Sequence, residues 1–352
     1  MQIKSADYKD RIKNSELKFH VIRNYETYSG KHYNHLKLSY QVFGNTIGSA
    51  PVVLVNHALT GNSDIMSPEK GWWKSLVGPD KLIDTNRCTV IAFNILGNGY
   101  DGLLIENYRD FIARDIATLQ YHVLSALGVN KIYAALGGSL GGCLTWELAS
   151  LQPGLIENVI PIAADWKSTD WIVGHNNVQE SILLNSKTPL QDARKMAMLF
   201  YRSPKSLTKK FDRSKNEKEE RSVSSWLNHH GKKLETRFEL KAYLMMNHLL
   251  STVEAFALSD KTNHIKNISS KIIQISINTD LFFIPDENKK TKVLLDKLNI
   301  KNEHHIIDSI HGHDAFLIEH DQIIACLKPI FEAGKNLQHA QGKYFNYGDR
   351  RR

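Results

Sequence analysis

The stretch Leu136-Gly-Gly-Ser-Leu-Gly-Gly142 constrains the fold of this chain more than any other. The apolar run at 131–136 reads as a buried strand, and residues 141–151 read as a helix closed by Pro153-Gly154. A serine between glycines at a strand-to-helix junction fits the pattern G-x-S-x-G. Small neighbours let the chain turn sharply, and the helix N-terminus favours negative charge developing there. Ser139 is therefore the candidate nucleophile.

The surrounding chain alternates in the same way. Residues 51–56, 89–94 and 158–163 read as further strands. Ile112, Ile116, Leu119, Val123 and Leu127 recur at helical spacing within 108–127. This order implies an α/β fold with a mostly parallel sheet. From about 165 to 260 the pattern turns helical, clearest at 191–201 and 243–258, with a charged linker at 212–221. Strand character returns at 271–277 and 304–307, before a last helix expected over 315–333. Residues 1–165 and 266–352 thus form a core domain, 166–265 a helical lid insertion, and the tail after Gly334 is expected to be weakly ordered.

A serine elbow of this kind requires a carboxylate and then a histidine, each after a later strand. Asp280 follows the strand at 271–277, and His313 follows the strand near 307, with His311 as its competitor. Asp280 would fix the imidazole tautomer and His313 would take the serine proton. The amide of Leu140 is one expected oxyanion donor, and a second lies within 56–61. His57 in that loop precedes the nucleophile, so a structural role is expected for it. Trp72 and Trp73 read as packing aromatics.

These residues resemble the homoserine O-acetyltransferase family of the α/β-hydrolase fold. The matching stretches are His57-Ala-Leu-Thr-Gly61, Gly71-Trp-Trp73, Gly137-Gly-Ser-Leu-Gly-Gly142, Tyr201-Arg-Ser203, Arg237-Phe238 and Gly312-His-Asp-Ala-Phe-Leu317. The resemblance covers about 35–330. It implies Ser139, Asp280 and His313 as the triad, with His313 preferred to His311, and Leu59 and Leu140 as the oxyanion amides. It further implies Arg194, Tyr201 and Asp314 as binders of an amino-acid acceptor. A guanidinium suits an α-carboxylate and a carboxylate suits an α-ammonium. No permanent cofactor is implied; acetyl-CoA would be co-substrate, and a homodimer packed through the lid the assembly. The chain departs from the family at Asn98-Gly-Tyr-Asp-Gly102, at Leu140 in place of methionine, and at 251–255. Ester hydrolysis, a succinyl donor or a serine acceptor remain alternatives.

Composition excludes other classes. No run approaches the ~18 apolar residues that span a bilayer, and the first residues are polar, so the expected address is the cytoplasm. The three cysteines, Cys88, Cys143 and Cys326, make no disulfide framework, and the histidine pairs at 229–230 and 304–305 lack a metal-ligand set. The net charge of +8 comes without the motifs of a nucleic-acid module, and suits attraction of a phosphorylated co-substrate.

Overall fold

Branched apolar residues make the strands, and their alternation feeds two cores. The computed structural model describes residues 16–256 and 264–341. The strands are β1 (Lys18–Glu26), β2 (His32–Gly44), β3 (Val52–Asn56), the short β4 (Val77–Gly78) and β5 (Ile83–Asp84), β6 (Thr89–Phe93), β7 (Ile132–Gly138), β8 (Ile156–Ile162), β9 (Lys271–Ile277) and β10 (Asn302–Ile307). Eight of them form one sheet in the order β1-β2-β6-β3-β7-β8-β9-β10. Neighbours run parallel from β6 to β10, while β2 pairs antiparallel with both β1 and β6. Leu54 packs into the core on one face, and Val53 and Val55 into the core on the other, because successive side chains leave a strand on opposite sides.

Helices α1 (Ala113–Ala126) and α2 (Leu140–Leu151) belong to the core. The second is buried on every side, which is why its sequence shows no polar stripe. The helical insertion comprises α3 (Asp170–Asn185), α4 (Pro189–Tyr201), α5 (Pro204–Phe211), α6 (Ser222–Glu235) and α7 (Leu240–Ser251). Thr169 and Ser203 cap α3 and α5 with their side chains, and Pro189 and Pro204 open α4 and α5. The chain enters and leaves this layer side by side: Ser168 N donates to Val253 O at 3.0 Å and Ala255 N to Trp166 O at 2.8 Å. Two helices close the chain, α8 (Pro285–Lys297) and α9 (His320–Gln341).

Three expected boundaries differ. The helix expected over 108–127 is a single 3-10 turn at Tyr108–Asp110 followed by α1. The helix expected over 243–258 is α7, which starts earlier and stops at Ser251; residues 257 and 258 lie outside the described residues. The last helix, expected over 315–333, is instead a 3-10 turn (Gly312–Leu317) and then α9, separated at Ile318 (φ −121°). That helix runs past Gly334, where weak order was expected; the tail from 342 lies outside the described residues.

Candidate active site

Parallel register brings the candidate loops to one end of the sheet. Asn56 of β3 pairs with Gly137 of β7, Gly137 with Pro161 of β8, and Ile277 of β9 with Ile307 of β10. The segments after β3, β7, β9 and β10 therefore leave from the carboxyl edge, where sites of such sheets form.

Ser139 sits at the elbow with φ 56° and ψ −130°, anchored by its N–H to Ile162 O at 2.9 Å. The glycines around it are needed for space. A Cβ on Gly137 would lie 2.4 Å from the Gly141 carbonyl carbon, and one on Gly141 would lie 2.3 Å from Asn56 O. Strand and helix thus approach closer than any side chain allows.

His313 and Asp280 are each only 2% exposed, with His313 Nδ1 2.7 Å from Asp280 Oδ2. The other carboxylate oxygen accepts the backbone N–H groups of Phe282 (2.7 Å) and Phe283 (3.0 Å). An ionised carboxylate only accepts, so the proton lies on Nδ1 and Nε2 is left to take one. Aromatic rings hold the imidazole: Phe283 stacks at 5.7 Å, with Tyr201 at 5.4 Å, Phe282 at 5.2 Å and Phe316 at 5.5 Å. Phe316 also fills the space against Gly138, so the serine elbow and the histidine turn share one ring.

His311 is engaged elsewhere. Its Nδ1 accepts from Arg202 Nη2 at 2.8 Å, and burial together with that guanidinium lowers its pKa.

Leu59 lies on the loop after β3 and Leu140 opens α2 directly after Ser139, and among the described residues neither amide is paired with a protein acceptor. The loop bearing Leu59 is held by His57, 1% exposed. Its Nδ1 donates to Ala58 O at 2.7 Å, which leaves Nε2 to accept from Ile95 N at 3.0 Å and from the Asn98 amide at 3.2 Å. Burial pushes the His57 pKa down to about 4. The Asn98 amide also reaches Asn94 Oδ1 (3.2 Å) and Gly61 O (3.4 Å). Asn98, where the chain leaves the resembled family, thus points inward and supports this loop. From the insertion, Arg237 Nη1 donates to Thr60 O at 2.9 Å.

The insertion supplies the rest. Arg194 on α4 lies over the Tyr201 ring, 5.5 Å from its centroid. Tyr201 is buried beside Tyr243 of α7, and burial, with that neighbour, holds its hydroxyl well above the ordinary range. Asp314, beside His313, has its pKa raised by burial, opposed by Arg194, His313 and Arg202. Ser203 Oγ donates to Ile310 O, and a Cβ on Gly312 would meet Ser203 N at 2.8 Å, so the insertion is seated on the histidine turn. Spacing did not single out Arg202, Tyr243 or the inward Asn98, because each acts across elements distant in sequence. Trp73 is fully buried, with its indole N–H on Phe316 O at 3.3 Å, and Trp72 packs on it at 4.6 Å. Among the described residues no three His, Cys, Asp or Glu side chains converge as a metal would require.

A serine elbow, a carboxylate-paired histidine and a parallel sheet under a helical layer define an enzyme of the α/β-hydrolase class. The α/β hydrolase fold family matches residues 51–311. Within that class the chain belongs to the homoserine O-acetyltransferase family. It is 30% identical to the homoserine O-acetyltransferase of Cyclobacterium marinum, covering 86% of this chain and 91% of that protein. The enzyme of that name from Methanococcus vannielii is 28% identical, over 90% of this chain and 72% of that protein. Among solved structures, a homoserine O-acetyltransferase from Staphylococcus aureus superposes with a TM-score of 0.75 at 24% identity, over 96% of this chain and 97% of that one. Esterase E22 superposes with a TM-score of 0.80 at 19% identity, over 90% of this chain and 99% of that one, which establishes a shared fold.

Proposed function

We propose that the protein transfers an acetyl group from acetyl-CoA to the hydroxyl of L-homoserine through an acyl-serine, a step of methionine biosynthesis. The observation that carries this reading is the arrangement around His313. There Arg194 offers a cation for the acceptor's α-carboxylate, Asp314 an anion for its α-ammonium, and Tyr201 a wall between them. Such a grip would place the acceptor hydroxyl at the acyl-enzyme and give it the advantage over water.

In the first half-reaction Ser139 Oγ attacks the thioester carbonyl while His313 Nε2 takes its proton. The oxyanion falls on the Leu59 and Leu140 amides, each contributing about 3 kcal/mol. The carbon–sulfur bond breaks, His313 returns the proton to the thiolate, and free coenzyme A leaves. In the second, the acceptor hydroxyl gives its proton to His313 and attacks the acyl-serine; the bond to Ser139 Oγ breaks, His313 returns the proton to that oxygen, and the ester product departs.

The test is thiol release from acetyl-CoA with and without L-homoserine, with L-serine and succinyl-CoA in parallel. Homoserine-dependent release, lost by at least roughly 10⁴-fold in Ser139→Ala, is the expected result. Release without any acceptor would make the protein a hydrolase instead.

The same reading makes the protein cytoplasmic; no helix among the described residues is long and apolar enough to cross a membrane. It also pairs two copies through the lid. Trp171 and Val178, two turns apart on one side of α3, are exposed, which supports that face. Light scattering that returned the monomer mass would refute the pairing.

A further inference from the structure

Arg202 follows the last residue of α4 and sits where the insertion meets the histidine turn, its side chain only 14% exposed. One Nη2 donates to Ser206 Oγ and to His311 Nδ1, each at 2.8 Å. The other, Nη1, faces Asp314 Oδ2 at 4.0 Å. The first two bonds fix the guanidinium on both sides of the seam. The third separation is an ion pair too long for a hydrogen bond, so Asp314 keeps its lone pairs for another donor.

We propose that Arg202 is a positioning residue for acceptor binding, holding Asp314 ionised and aimed at the acceptor's ammonium group. The inference rests on the acyl-transfer reading and adds a residue to it. Asp314 is surrounded by Arg194 from α4, by His313 and Asp280 of the charge-relay pair, by His311, and by Arg202. Burial works against its charge, and the cations work for it. An acceptor ammonium binds the ionised carboxylate, so binding weakens as pH falls through the pKa of Asp314. Removing the Arg202 charge raises that pKa and moves the loss to higher pH.

The experiment measures KM for L-homoserine at about pH 6 and about pH 8.5 in wild type, Arg202→Met and Arg202→Lys. Acyl-enzyme formation is followed separately, by the burst of p-nitrophenol from p-nitrophenyl acetate. In Arg202→Met the acceptor KM should rise more at the lower pH than at the higher, by up to about tenfold for each unit by which the Asp314 pKa moves. The burst rate should change far less, and Arg202→Lys should recover part of the loss. Ser206→Ala keeps the charge but loosens it, and should shift KM in the same direction by less; it serves where Arg202→Met does not fold. A wild-type enzyme without acceptor dependence overturns both this inference and the reading beneath it. A wild type that transfers, beside variants whose KM follows its pH profile, overturns this inference alone. So does a burst rate that falls as far as KM rises, since Arg202 would then act through His311 and the catalytic turn.

Discussion

Ser139 holds φ 56° and ψ −130°, a conformation that costs an L-residue on the order of 1–3 kcal/mol and persists because its surroundings leave no alternative. The same burial that enforces such geometry decides the charge of His57 nearby. Taken out of water, its imidazole has a pKa of about 4 against an ordinary 6.5. The folded state therefore binds fewer protons than the unfolded state between those values. Stability is complete above pH 6.5 and is lost as pH falls toward 4, by up to about 3 kcal/mol. His57→Gln does not titrate, so the stability gap between the two proteins should narrow on acidification over that window, read by urea unfolding at a series of pH values. Other titrating groups are common to both proteins and cancel in the difference. A gap independent of pH would mean that the imidazole charges alike in the folded and unfolded chain.

Elements that touch only once are where one atom matters most. A Cβ on Gly138 would lie 2.4 Å from the Phe316 ring, which is 2% exposed and packs on His313. Gly138→Ala must push that ring, and with it the histidine turn. The expected result is roughly a 100-fold fall in kcat, from displacement of about 1 Å, with a stability loss of about 1–3 kcal/mol. Phe316→Leu in the same chain should recover part of the rate, and steady-state kinetics on the pair decide it. Contacts of this kind explain what could be read from the residues alone. The strands β3, β6, β7, β8 and β9 announce themselves as apolar runs because both their faces are buried, whereas β10, at the edge of the sheet, buries only Ile307 and is marked by the pair Ile306-Ile307 alone. The hairpin of β1 and β2 gives no such signal. In β1 Ile22 and Tyr25 are buried among mostly charged and polar neighbours, so no run marks it. Asp280 and His313 were legible as residues following strands. Arg202 and Asn98 were not, since their partners lie 109 and 41 residues away.

At the scale of the molecule, the insertion hangs from the core by two adjacent strands of chain, and a buried ion pair braces the one that leaves. Arg114 of α1 and Glu147 of α2 meet at 2.9 Å beneath it. The Glu147 carboxylate accepts Glu254 N at 2.9 Å, and Arg114 Nη2 donates to Ala255 O at 2.5 Å, so both core helices grip the departing chain. Two effects compete for the charge of Glu147: burial raises its pKa and Arg114 lowers it, and burial wins, leaving it at about 7. The sign of the consequence is opposite to that of His57. A carboxyl whose folded pKa exceeds its unfolded value holds its proton in the folded state. Its contribution is therefore complete below about pH 4.5 and is lost as pH rises through about 7. Glu147→Gln keeps the shape of the protonated form and does not titrate. Its stability relative to wild type should accordingly improve between pH 5 and pH 8, by at most about 3 kcal/mol, in paired urea titrations. The reverse trend, with the variant losing ground as pH rises, would show that Arg114 outweighs desolvation. The brace would then be a charged pair throughout the working range, and the insertion would be held most firmly at the higher pH.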